Sequence, residues 1–171
     1  MRAIGFHGTS VERAERILGD GFQPSRNDYD WLGDGAYFFQ DSPSRAWEWA
    51  RERFGSGAAV LGAEIDLTDC LDLLDSEWHP VVRRAYDDLL RRLRGMGFPE
   101  PRQTRGAHRL DRAVLNEAAA GAAETGFTVR SIRAVFTEGE ALYPGSALFS
   151  KSHVQVAVRD PSAILSTWHV R

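Results

Sequence analysis

The sequence predicts one α+β domain in which helices flank a mixed or split β-sheet. Strand-like segments dominate both ends of the chain and helical segments lie between them, which is not the alternation of a doubly wound fold. The composition of the 171 residues, 43% hydrophobic and 26% charged, is typical of a soluble globular domain. We therefore expect a single domain over residues 1–171.

The N-terminal part of the chain predicts a strand followed by a helix. Residues 3–10 (AIGFHGTS) are strand-like, and Thr9 with Glu12 three positions later has the spacing of a capping box. Apolar residues then recur at helical spacing until Gly19 and Gly21, which are typical of a helix end.

A polar loop separates this helix from a second strand and a second helix. The aromatic run at 36–40 (AYFFQ) predicts the strand. Ser42 is a typical N-cap, Pro43 favours the first helical turn and Gly55 ends the helix.

The remainder of the chain ends in strands. The predicted elements are a strand at 58–67, helices at 80–94 and 110–124, and strands at 131–138, 153–159 and 163–170. In the strand at 153–159, valines alternate with His153, Gln155 and Ala157. This pattern predicts one face in the core and one face that offers polar groups to a cleft.

Charge and cysteine content exclude several classes of protein. The formal net charge is −3 and Cys70 is the single cysteine, so nothing global suggests a nucleic-acid-binding, membrane-surface or disulfide-stabilised protein. The five histidines are far apart in the sequence, which argues against a metal site. Charges interrupt the N-terminal segment and no run of about 18 apolar residues follows, so we expect a cytoplasmic protein without a targeting segment.

An ordered set of motifs connects the chain to a known family. His7, Gly8 and Thr9 close the first strand, the next helix ends in Ile-Leu-Gly-Asp-Gly-Phe, and Gly-Asp-Gly-Ala-Tyr-Phe follows at 33–38. This set resembles the NAD-binding half of the poly(ADP-ribose) polymerase and diphtheria-toxin-like ADP-ribosyltransferases. The resemblance implies an ADP-ribosyltransferase-like split sheet, mixed or antiparallel, with NAD+ as co-substrate and no metal. For a small bacterial protein it also implies a toxin or defence effector, which an antitoxin can accompany.

The resemblance also assigns roles to residues of these motifs. His7 is expected to hydrogen-bond the adenosine ribose, with Thr9 beside it. The backbone of Gly8 is expected to hold the nicotinamide carboxamide, and Tyr37 to stack on the nicotinamide ring.

Further cofactor contacts are implied outside the first motif. The second stacking ring falls on Trp49, with Trp47 as the alternative, and Gly35 lets the backbone approach the ligand. The loop before this glycine is expected to touch phosphate and adenosine through Arg26, Asn27 and Tyr29.

One position departs from the family pattern. The closing strand often carries Glu where this chain has Gln155, and Gln can orient a ribose but adds no charge and cannot act as a general base. The departure implies transfer of a single ADP-ribose, or no activity. Glu138 and Glu140, at the end of the preceding strand, are candidates to supply charge, with Glu138 preferred because it is nearer the strand. His153, on the face of Gln155, is a candidate base, and a structural role is the alternative for each.

A basic segment allows another interpretation. Residues 83–112 contain nine arginines, at 83, 84, 91, 92, 94, 102, 105, 109 and 112, against four acidic residues. A solvated helix face is the usual explanation, and a site for RNA or DNA is the alternative. Three functions therefore stay open: a mono-ADP-ribosyltransferase with a protein or nucleic-acid acceptor, an inactive NAD- or ADP-ribose-binding module, and a nucleic-acid-binding domain.

Overall fold

The computed structural model describes residues 1–104 and 106–171 and over these contains four α-helices and a seven-stranded mixed sheet. This confirms the α+β class. The helices are α1 (Val11–Asp20), α2 (Pro43–Phe54), α3 (His79–Gly95) and α4 (Arg109–Glu124). The strands are β1 (Arg2–Ser10), β2 (Ala36–Gln40), β3 (Ala58–Asp66), β4 (Cys70–Asp72), β5 (Gln103–Thr104), β6 (Ala107–His108), β7 (Ser131–Phe136), β8 (His153–Val158) and β9 (Ile164–His169).

Two neighbouring strands near the centre of the large sheet, β1 and β2, are paired over a short stretch only. The order of the sheet is β4, β7, β8, β2, β1, β3, β9, with β4 and β7 parallel and the other neighbours antiparallel. β1 pairs with β3 along its whole length, from Arg2 to Ser10, but with β2 only at Gly5 and Phe6. Beyond Phe6 the two central strands part, and the sheet opens.

Helices cover both faces of this sheet. α1 and Phe22 pack on one face, against a cluster that includes Phe38, Leu61 and Val156. α2 packs on the other face, where Phe39 is buried, and α3 with α4 covers the β7 and β8 side of that face. No helix in the described part of the chain is both long enough and apolar enough to cross a membrane.

The sequence-based boundaries agree closely with the structure, with two corrections. The N-cap of α1 is Ser10, whose Oγ accepts from the backbone N–H of Arg13 (3.3 Å), and not Thr9. Thr9 is still strand, because β1 pairs with β3 as far as Ser10.

The expected polar face of β8 is also wrong in part, since Ala157 and His153 are buried on that face. β8 is a central strand covered on both sides, and only near Gln155 does this face reach the cavity described below.

Candidate functional site

A cavity of about 700 Å³ opens where β1 and β2 part. Its size lies within the range of small-molecule sites. It is lined by the end of β1, the first half of β2, α1, α2, the loop between α1 and β2, the end of β7 and the middle of β8. The predicted site residues that line it are His7, Gly8, Thr9, Asn27, Tyr29, Tyr37, Trp49, Glu138 and Gln155.

His7 occupies the gap between the parting strands. Its Nδ1 lies 2.8 Å from the carbonyl oxygen of Tyr37. This side-chain hydrogen bond takes the place of a backbone hydrogen bond between β1 and β2, which are not paired beyond Phe6. A carbonyl only accepts, so Nδ1 carries the proton and Nε2 is an acceptor. Burial lowers the pKa of His7 and outweighs the bond to Tyr37, and the charge of Arg13 lowers it further. The imidazole is therefore neutral at pH 7.

Tyr37 fastens the loop before β2 to the cavity wall. Its hydroxyl donates to the carbonyl of Gly33 (2.7 Å) and accepts from the N–H of Leu32 (2.8 Å). Burial raises the pKa of this phenol, so the hydroxyl stays protonated. Because the hydroxyl is committed to the loop, the ring alone is offered to a ligand.

Gln155 is oriented by a residue that the sequence did not single out. The indole Nε1–H of Trp31 donates to Oε1 of Gln155 at 2.5 Å, and Trp31 packs on Phe136 with ring centroids 4.8 Å apart. An indole N–H only donates, so the carboxamide oxygen is the atom it meets. Gln155 lines the cavity, so its NH2 group is the part of the carboxamide that is left to donate to a ligand.

Glu138 is anchored to α2. Its Oε2 accepts from Arg45 (3.0 Å), which also pairs with Glu48, and Glu48 pairs with Lys151 (2.8 Å). The backbone N–H of Lys151 donates to the carbonyl of Glu138 (3.1 Å), which closes the base of the loop that follows β7. Glu138 lines the cavity, whereas Glu140 does not. The preference for Glu138 therefore agrees with its position.

His153, the candidate base, lies outside this lining. It is buried against Phe39 (centroids 4.7 Å apart) and Phe136 (5.6 Å apart), and its Nδ1–H donates to the carbonyl of Lys151 (2.7 Å). Burial lowers its pKa. Among the described residues its Nε2 has no hydrogen-bond partner. This histidine belongs to the packing behind Glu138.

Two residues that were predicted to contact the cofactor, Arg26 and Gly35, lie outside the cavity lining. Arg26 is exposed and pairs with Asp34 (3.5 Å), and Gly35 is buried beside β8, where a Cβ would lie 3.0 Å from the carbonyl oxygen of Val158. Neither lines the cavity. Gly8 lines it and also lies under α2, where a Cβ would come within 2.6 Å of the carbonyl oxygen of Ala46.

The expected stacking ring of Trp49 is covered in part by an arginine. The guanidinium of Arg53 lies 4.7 Å from the ring centroid of Tyr29 and 4.9 Å from that of Trp49. Trp47, the alternative ring, contacts Arg51 and lies outside the lining. The lining residues that sequence reasoning missed include Arg13, Arg16, Trp31, Arg53, His108 and Phe136.

Four of the eight described arginines of the basic segment form ion pairs. Ion pairs join Arg91 to Asp88 (2.7 Å), Arg92 to Glu117 (2.6 Å), Arg109 to Asp28 (2.5 Å) and Arg112 to Asp34 (2.9 Å). Arg105 lies outside the described residues. These pairs favour a solvated, internally paired face over a nucleic-acid site.

Comparison with known proteins adds a distant relative. No protein-family model matches the chain. Over 71 residues the chain is 35% identical to a protein of Methanocaldococcus jannaschii that is named only as uncharacterized. The match covers 38% of this chain and 33% of that protein, so the similarity spans about a third of the relative's length.

Proposed function

We propose that the chain is a mono-ADP-ribosyltransferase that binds NAD+ in the cavity between β1 and β2 and transfers ADP-ribose to a protein or nucleic-acid acceptor. The observation that carries the proposal is the convergence of His7, Tyr37, Glu138 and Gln155 on one cavity, from four separate strands or strand ends. The large sheet, which parts beyond Phe6, would then be the split sheet of that superfamily.

The reaction breaks the bond between C1′ of the ribose and the nicotinamide nitrogen. Nicotinamide leaves with the bonding electron pair, positive charge develops on the ribose, and an acceptor nucleophile attacks C1′ and loses its proton. Glu138 is the lining carboxylate best placed to stabilise this charge or to take that proton, since its partner Arg45 holds it in position.

The neutral residues of the cavity orient the substrate. Nε2 of His7 accepts a hydrogen bond from a ribose hydroxyl, because its Nδ1 is already committed to Tyr37. Gln155 donates its NH2 group to a ribose oxygen, because its Oε1 is held by Trp31. Neither residue brings negative charge to C1′, so the chemistry rests on Glu138.

The substitution that tests this proposal is Glu138→Gln, with Glu140→Gln as its matched control. Purified protein is incubated with NAD+ and cell lysate, and released nicotinamide and ADP-ribosylated acceptors are measured. Losing a positioned acid or base costs roughly 10²–10⁴-fold, so we expect kcat to fall by about that factor for Glu138→Gln, with KM for NAD+ changed little. Glu140→Gln should behave as the unaltered protein.

A second candidate is an inactive NAD- or ADP-ribose-binding module. The observation that favours it is the orientation of Gln155, which presents a donor where charge stabilisation needs an acceptor. In that case NAD+ raises the melting temperature and no acceptor yields nicotinamide. Failure of both NAD+ and ADP-ribose to bind would contradict both candidates.

A further inference from the structure

Three arginines converge on one wall of the cavity. Arg13 and Arg16 lie three residues apart on α1, on the face that also carries Ile17 and Asp20, and Arg53 reaches the same wall from α2. Arg13 is close enough to His7 to lower the pKa of the imidazole. The wall therefore adjoins the gap between β1 and β2.

Their charges are not neutralised by the protein. Within residues 1–104 and 106–171, no carboxylate forms an ion pair with Arg13, Arg16 or Arg53. By contrast, Arg45 and Arg112, which stand just behind the cavity, are each paired.

The acidic side chains of the lining do not compensate this charge either. Asp30 is buried and accepts from the hydroxyl of Ser25 (2.8 Å), and Glu138 is held by Arg45. In the described lining this leaves Asp20, on the same face of α1, as the single remaining carboxylate for three guanidinium groups. The wall has a surplus of positive charge that a ligand can satisfy.

Two of the guanidinium groups are held in place by aromatic rings. Arg53 lies between Tyr29 and Trp49, and Arg13 lies over Phe54 at 5.7 Å from its centroid. Stacking on rings leaves the N–H groups at the edge of a guanidinium free to donate, and a guanidinium matches phosphate oxygens in pairs. An arginine that is held this way loses less conformational entropy when it binds an anion.

We infer that Arg13, Arg16 and Arg53 form a binding site for the diphosphate of a nucleotide. The inference rests on the proposed function for the identity of the nucleotide, but the site itself is defined by these charges. The sequence resemblance implied that Arg26 contacts phosphate, but Arg26 pairs with Asp34. The inferred phosphate site lies instead on the wall formed by α1 and α2. It also gives Trp49 and Tyr29 a role as supports of Arg53.

The site predicts which ligands bind. Two adjacent phosphates can engage two or three guanidinium groups, whereas one phosphate engages fewer. We therefore expect ADP to bind at least about tenfold more tightly than AMP, adenosine to bind weakest, and inorganic pyrophosphate to compete with ADP.

The test is calorimetric titration of the whole protein with ADP, AMP, inorganic pyrophosphate and NAD+. Arg13→Gln and Arg53→Gln should each weaken ADP and pyrophosphate binding by about tenfold or more. Arg51→Gln is the matched control, because Arg51 is exposed on α2 and stacks on Trp47 outside the cavity. Melting temperatures of all variants report whether each is folded.

The outcomes separate this inference from the proposed function. ADP and pyrophosphate that bind with dependence on Arg13 and Arg53, without binding of NAD+, support the diphosphate site and contradict the NAD+ proposal. NAD+ that binds equally to the unaltered protein and to both variants overturns the diphosphate site and leaves the NAD+ proposal standing. Absence of ADP and pyrophosphate binding to the folded protein also overturns the site.

Discussion

Under the proposed function, introducing a carboxylate at residue 155 should increase the rate of nicotinamide release. In the structure Gln155 lines the cavity and its amide oxygen accepts from the indole N–H of Trp31, which leaves the NH2 group to donate to a ligand. Gln155→Glu keeps the shape of the side chain, leaves one oxygen for the indole N–H, and replaces the NH2 donor with a charged acceptor. The change thus adds a negative charge and replaces a hydrogen-bond donor with an acceptor.

The magnitude follows from one hydrogen bond and one electrostatic contact. The bond from Trp31 becomes charge-assisted, and its contribution rises from about 1 kcal/mol to about 2 kcal/mol, which keeps the new carboxylate in the present position. An electrostatic contact to the charge that develops at C1′ is worth roughly 3 kcal/mol in a closed site, and about half of that in a cavity open to water. We expect an increase of about 10- to 100-fold in kcat.

The assay is nicotinamide release from NAD+ at saturating concentration, for the unaltered protein, Gln155→Glu, and Gln155→Glu combined with Trp31→Phe. The combined variant lacks the indole N–H and should lose most of the gain, because the carboxylate is no longer oriented. A folded Gln155→Glu variant that binds NAD+ but releases nicotinamide no faster than the unaltered protein would refute the reasoning.

Three further predictions concern stability. Gly8→Ala places a methyl group 2.6 Å from the carbonyl oxygen of Ala46 and should cost about 1–3 kcal/mol, measured as a melting temperature lower by roughly 2–12 °C; an unchanged melting temperature would contradict the close approach of α2. Tyr37→Phe removes two hydrogen bonds to the preceding loop and should lower the free energy of unfolding by about 2 kcal/mol in urea titrations, with proteolysis of that loop as a second measurement. Because burial keeps His7 and His153 neutral in the folded state, the unfolded chain alone takes up protons below about pH 6.5, and stability should fall by up to ~1.4 kcal/mol per pH unit for each histidine. A urea midpoint that is the same at pH 7.5 and 5.5 would contradict this.

Much of the fold could be predicted from periodicity and from helix and strand signals. β2 lies at the residues that the aromatic run predicts, and α2 begins at Pro43 and ends before Gly55 as expected. β4, β5 and β6 were missed, because strands of two or three residues are too short to show an alternation. The sequence predicts Thr9 as the N-cap from its capping-box spacing to Glu12, but the pairing of β1 with β3 keeps Thr9 in the strand and places the cap at Ser10.

The residues of the candidate site were also predicted only in part. His7, Tyr37 and Gln155 belong to motifs on strands, and the cavity contains all three. Trp31 and Arg53 were missed because their positions follow from contacts between distant segments, which no spacing in the sequence records. The two misplaced residues, Arg26 and Gly35, show the same limit, since a motif identifies a segment and not the direction of each side chain.

One face of α2 contacts both Glu138 and the arginine wall of the cavity. Arg45, Trp49 and Arg53 follow one another at four-residue intervals, so a single helix holds the carboxylate of Glu138 and also supports the wall opposite. The loop after Glu138 is closed at its base by Lys151 and by hydrogen bonds between Glu140 and Ser150, whereas the carboxylate of Glu138 is held by Arg45 on α2. Such a loop can change in length and sequence while the carboxylate stays where it is. Under the proposed function, the choice of acceptor can therefore diversify independently of bond cleavage, and residues 141–149 are the natural place to graft a new specificity.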